Sequence, residues 1–159
     1  MSKTASAPLT DESVAADAFV LARFAPYRIV ALGREMSRRL AQAYADEDVA
    51  IPEWRVLATL SQADALAARD VVAMTPMDKM AVSRAVANLE AKGYVRRRAD
   101  PGDGRVVMVS LTDAGRRLFQ RIAAMALDYE ARLLSALTKE ERAAFDALLS
   151  KLEASAQAE

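Results

Sequence analysis

The chain has 159 residues, 53% of them apolar and 28% charged, and its 22 basic and 22 acidic side chains cancel to zero net charge. This balance fits one compact globular unit with helical extensions. It excludes a disordered chain, and no apolar run approaches the roughly 18 residues that a membrane span needs. There is no cysteine and no histidine. Disulfides, thiolate metal sites, the commonest general base and the commonest metal ligand are all removed. No paired carboxylates sit in an apolar setting either, so no catalytic residue, metal ligand or cofactor is nominated and an enzyme is not expected. The first residues lack a signal-peptide h-region, and a cytoplasmic chain is expected.

Residues 1–12 are small and polar and contain a proline, which predicts a flexible tail. From Ser13 to about Ala45 the pattern is helical, through Phe19, Val20, Phe24, Tyr27, Val30, Leu32, Met36, Leu40 and Tyr44. Pro26 interrupts it, so a short first segment ends near Ala25 and the main helix restarts there. Asp46-Glu47-Asp48 closes this first region, 13–47, in an acidic turn. A second helix begins at Ile51-Pro52-Glu53-Trp54 and ends near Ser61, and residues 64–74 predict another short helix through Leu66, Val71 and Val72.

The next helix starts at Thr75-Pro76, with Thr75 as cap and Asp78 three residues on, and it stops at Lys92-Gly93. Val82, Val86 and Leu89 share its apolar face; Lys79, Ser83, Arg84 and Asn88 are left on the other. These are side chains of the types that contact phosphates and base edges, though an ordinary solvated face has the same composition. After Gly93 the period becomes extended: Tyr94-Val95 and Val106 to Val109 flank Asp-Pro-Gly-Asp-Gly, a hairpin turn. A helix followed by a basic hairpin is the plan of a winged helix-turn-helix, here over residues 51–112. Arg96, Arg97 and Arg98 alternate faces on a strand, so one or two of them are expected at a nucleic-acid backbone and the middle one in an ion pair. Met74, Met77, Met80 and Met108 are read as core filler.

Zero net charge suits a nucleic-acid binder only when it is mapped. Residues 75–105 hold seven basic and four acidic side chains, a local +3 against −3 for the rest. Phosphate attraction acts over about 10 Å, so the local value counts. Beyond the hairpin, Thr112 predicts a long helix of roughly 113–136, and Thr138-Lys139-Glu140-Glu141 a capping box for a last one. The apolar stripes of the first helix and of the C-terminal helices over 113–155 exceed what one small winged helix can cover. They predict a homodimer built from those flanks, with folding back on their own chain as the alternative.

Taken together, Ile51-Pro52-Glu53-Trp54-Arg55-Val56-Leu57, Met77-Asp78-Lys79, Val82-Ser83-Arg84-Ala85-Val86, Leu89-Glu90-Ala91-Lys92-Gly93, Asp100 to Arg105 and Leu111-Thr112-Asp113-Ala114-Gly115 resemble the MarR family of bacterial transcription regulators over about residues 18–155. The resemblance implies a mostly α fold with a small antiparallel β-hairpin wing, and a dimer of intertwined N- and C-terminal helices. It implies binding to double-stranded DNA at a pseudo-palindromic operator, and repression released by a small effector. The DNA-contacting residues implied here are Thr75, Lys79, Ser83, Arg84, Asn88, Arg96, Arg98, Asp103 and Arg105. The family's wing reads roughly Asp-x-x-Asp-Arg-Arg; this chain has Gly104 for the first arginine and keeps Arg105 for the minor groove, with Asp103 expected to orient its guanidinium. Effectors in the family sit between the dimer helices and the winged-helix lobe, which nominates Phe24, Tyr27, Arg28 and Trp54. Aromatics with a cation suit an aromatic carboxylate or its coenzyme A thioester, and plain core packing is the alternative for these four. Two other readings stay open: a DNA binder with no effector, and a winged-helix protein-interaction module.

Overall fold

The computed structural model describes residues 19–158. The expected flexible tail, 1–12, lies outside them. The chain divides into two compact units, Met1–Arg39 and Leu40–Glu159.

In the first unit a 3-10 turn, Leu21–Arg23, precedes helix α1 (Ala25–Ala43), which continues past the unit boundary. Pro26 occupies the second helical position, where its missing N–H has no intrahelical acceptor to lose. The restart therefore falls where the proline predicted it; of the expected first helical segment, residues 13–18 lie outside the described ones and the rest holds only the 3-10 turn. Phe24, Tyr27, Ile29, Val30 and Leu32 are all exposed. Farther along, Glu35 takes hydrogen bonds from Arg38 and Arg39, which hold its carboxyl at about 2.

The second unit opens with the last turn of α1, where Leu40 and Ala41 pack against the core. Tyr44 is buried, and a 3-10 turn, Ala45–Glu47, leads to Asp48 in the left-handed region at φ 51°. Helix α2 (Ile51–Leu60) buries Val56, Leu57 and Leu60. Strand β1 (Leu66–Ala67) and helix α3 (Ala68–Ala73) follow. The expected single helix over 64–74 is thus shortened by a two-residue strand at its start: Leu66 and Ala67 are drawn into antiparallel pairing with Val109 and Met108, a long-range partner that local periodicity does not reveal. Helix α4 (Lys79–Ala91) turns Val82, Ala85, Val86 and Leu89 inward. Strands β2 (Val95–Ala99) and β3 (Val107–Leu111) form the hairpin, in a sheet of order β1-β3-β2.

Two long helices finish the chain, α5 (Asp113–Leu134) and α6 (Lys139–Gln157). The Thr112 hydroxyl accepts from the Gly115 amide at 3.1 Å, and the Thr138–Glu141 capping box forms as its pattern predicted. Leu118 and Ile122 of α5 enter the core, whereas α6 has no buried residue and exposes Phe145, Leu148, Leu149 and Leu152. Among the described residues no helix is long and apolar enough to cross a membrane.

Candidate nucleic-acid interface

The helix that should read DNA starts later than its sequence suggests, and Thr75 does not cap it. Its hydroxyl donates back to the Val71 carbonyl at 2.9 Å and closes α3. Asp78 is the cap: its backbone is extended and its carboxylate accepts from the Ala81 amide at 2.7 Å. Aspartate caps somewhat better than threonine, and Pro76 falls in the turn instead of the first helical position. Thr75 therefore belongs to the turn between the two helices.

Helix α4 has three surfaces besides its core face. Lys79 and Ser83 flank the side toward the wing, and Asn88 lies on the opposite side. Between them runs the line farthest from the core, Met80, Arg84, Ala87 and Ala91, all exposed at i, i+4, i+7 and i+11. Met80 is 65% exposed and Met74 is also exposed, which corrects their reading as core filler; only Met77 of the helix-turn region packs on the core. The signal was present in the spacing, because Met80 stands about half a turn away from Val82, Val86 and Leu89.

The wing obeys strand alternation. Arg97 pairs in register with buried Val109 and turns toward α4, where Glu90 accepts from both its guanidinium and its backbone amide. Hydrogen bonding by Arg97 holds the Glu90 carboxyl below its ordinary range. The middle arginine is in the expected ion pair. Arg96 takes the other face, its Nε donating to the Ser110 hydroxyl at 3.1 Å, and Arg98 pairs in register with Met108. At the tip, Asp100 accepts from the amides of Gly102 and Asp103 at 2.8 and 2.9 Å, and so folds the loop. Asp103 accepts from the backbone amide of Arg105 at 3.0 Å, and not from its guanidinium as expected. Asp103 thus fixes where Arg105 leaves the chain and leaves its head group available.

The ion pairs among the described residues use none of Lys79, Arg84, Arg96, Arg98 or Arg105. The cations that are committed hold the frame. Lys92 donates to the Asp48 carbonyl at 2.6 Å and to Glu53, 3% exposed, at 3.1 Å, tying the end of α4 to the start of α2. Burial opposes the Lys92 charge, but the Glu53 and Asp48 carboxylates outweigh it and raise its pKa. Arg121 of α5 pairs with Glu47. Neither Glu90, Asp100 nor the Glu53–Lys92 pair was nominated from the sequence, since each acts through a partner that only the fold supplies.

A cavity of about 390 Å³ lies under the interface, between α3, α4 and the wing, with valines on its walls and Arg69, Lys79 and Arg97 among its lining. The residues nominated for an effector lie elsewhere. Phe24 and Tyr27 are exposed on the first unit, as is Arg28. Trp54 is half-buried; it stacks on Phe119 at 5.8 Å and 13° and touches Tyr44 at 6.1 Å, so its ring serves packing within the second unit.

Residues 47–106 match the MarR family model. The chain is 29% identical over 126 residues to the HTH-type transcriptional repressor Rv2887 of Mycobacterium tuberculosis, covering 79% of this chain and 91% of that one. A mutant MarR of E. coli solved with operator DNA superposes with a TM-score of 0.72 at 25% identity, over 79% of this chain and 91% of that one. The PcaV regulator of Streptomyces coelicolor, solved with its natural ligand, gives 0.71 at 25% identity, over 87% and 98%. With its winged-helix fold, its helix and wing cations, and these relatives, the chain belongs to the MarR family of DNA-binding transcription regulators.

Proposed function

We propose that this regulator is a homodimeric repressor on a pseudo-palindromic operator, with each α4 in a major groove and each wing tip at the adjacent minor groove. The observation that carries this reading is the division of cations: Lys79, Arg84, Arg96, Arg98 and Arg105 on helix and wing make no ion pair among the described residues, while Arg97 and Lys92 are spent on the frame. Uncommitted cations along one helix and its wing suit the regular row of phosphates on a duplex. Homodimerisation is supported by the exposed apolar side chains of α1 and α6, of a kind normally covered. The two recognition helices would then fall one duplex turn apart, about 10 base pairs between half-site centres. The test is binding to duplex pools at rising salt. Each phosphate contact releases counterions on binding, so the affinity should fall as salt rises, with a slope of log affinity on log salt of about −0.9 per contact, and a flat salt response would sink the reading.

Release by a small aromatic acid, or by its coenzyme A thioester, is the second element. The 390 Å³ cavity supports it, since valine walls with arginine and lysine at the margin suit a ring that bears a carboxylate. A ligand there would sit between α4 and the wing and favour a spacing that no longer fits adjacent grooves. Phe24, Tyr27 and Arg28, exposed on α1, are a second proposed ligand surface. A thermal-shift screen with aromatic acids and their thioesters identifies binders. Arg97→Met should abolish the shift for a cavity ligand and leave it intact for one at Tyr27. If no acid shifts the melting point or releases DNA, the protein is a DNA binder without such an effector.

A further inference from the structure

A methionine stands where a DNA-reading helix would present its leading side chain. Met80 lies in the first turn of α4, on the line farthest from the core, and is 65% exposed. The next residue along that line is Arg84, followed by Ala87 and Ala91. Lys79 and Ser83 stand to one side, where they line the cavity next to the wing. Asn88 stands to the other. A helix that enters a major groove contacts base edges with its N-terminal half. Along the line facing the bases, that half offers one thioether and one guanidinium, and the two alanines after them let the backbone come close.

The chemistry of these two side chains differs. A guanidinium suits the O6 and N7 acceptors of guanine. A methionine neither donates a hydrogen bond nor carries charge, so it cannot read those atoms or a phosphate. The one apolar group on the major-groove edge is the C5-methyl of thymine. Methionine is unbranched and polarisable, and it adapts to a small apolar knob without a fixed rotamer. Its exposure in the free protein is unfavourable, and burial against a methyl group removes apolar area from water on both partners.

Resting on the placement of α4 in the major groove, we infer that Met80 is a specificity-determining residue, and that it takes the C5-methyl of one thymine in each half-site, next to the base read by Arg84. The specificity of the helix then has an apolar component that responds little to salt, beside the phosphate contacts that respond strongly.

The experiment starts from the full chain and a random duplex pool, from which a preferred operator is selected. Each thymine is then replaced by deoxyuridine, which deletes only the methyl. Affinities are measured for the wild type, Met80→Ala and Met80→Leu. In the wild type, uracil at that thymine in a single half-site should weaken binding about fourfold, the effect of roughly one buried carbon, and about fifteenfold when both half-sites are changed. Met80→Ala should show no further loss at those positions, and Met80→Leu should retain the sensitivity. Because Met80 is exposed, its variants should melt as the wild type does. The inference is overturned if every uracil costs the same in wild type and Met80→Ala, or if none costs anything. If the pool yields no preferred sequence, the placement of α4 itself fails, and the inference with it.

Discussion

On the proposed reading, Arg105 and Gly104 should set the strength of the wing by opposite means. The Arg105 amide is held by Asp103 while no carboxylate among the described residues pairs with its guanidinium, so the cation leaves a fixed point on the loop with its head group available. A narrow A·T-rich minor groove concentrates negative potential and attracts such a group. Arg105→Ala should weaken operator binding by about 1–3 kcal/mol and flatten the salt slope by about one contact. Gly104→Arg should do the reverse: a side chain built at that position meets nothing within 4 Å, so a second cation is tolerated. Both effects are read by titrating labelled operator at several salt concentrations, and equal affinities for all three proteins would remove the wing from the interface. The presence of these residues was legible in the sequence, because a charged Asp-Pro-Gly-Asp-Gly-Arg loop between β-favouring runs has few other readings. Which atom Asp103 would hold was not, since an aspartate two residues before an arginine can reach its amide or its guanidinium. Met80 was misjudged for a different reason: methionine composition suggests a core, and only position on the helix separates a buried methionine from an exposed one.

At the level of elements, two ion pairs fix α4 relative to its neighbours, and their contributions differ. Lys92 joins α4 to α2 through a carboxylate that is almost wholly buried. Lys92→Met would leave Glu53 with its own cap amide from Ala50 but without a counterion, and should destabilise the fold by about 2–4 kcal/mol. Urea unfolding measures this, with Arg38→Met in α1 as the exposed control, for which no measurable change is expected. The second pair, Glu90–Arg97, joins α4 to the wing at the surface. The folded-state pKa of Glu90 is depressed, so its contribution is present above the ordinary carboxylate value of 4.5 and is lost as pH falls through the folded value. Between pH 8 and 5 the wing should keep its position; at still lower pH the Arg97 side-chain resonances should shift as the pair opens. An unchanged Arg97 spectrum down to pH 2 would contradict the pairing. The helices themselves were readable from capping and period. Strand β1 was not, because two residues leave no periodic trace and their partners lie some forty positions away.

For the whole molecule, the exposed apolar side chains on α6 matter most. Leu148→Glu with Leu152→Glu should leave the winged-helix core folded, since neither residue is buried, yet yield monomers in sedimentation and a large loss of operator affinity. Dimers that persist in this variant would move the association surface elsewhere. Apolar stripes in excess of a core are legible in a sequence; what covers them is not, because the pattern of a helix is the same whether its partner is its own chain or another. The Tyr94 carbonyl adds a mechanical consequence. It accepts from the Thr112 amide at 3.0 Å and from its hydroxyl at 3.2 Å, one residue after the left-handed Gly93 that ends α4. Gly115 of α5 lies so close that a methyl group there would stand 1.9 Å from the same oxygen. The tail of α4 and the head of α5 therefore meet at one joint that has no room for a side chain, so any residue larger than glycine at position 115 would wedge the two helices apart like a shim.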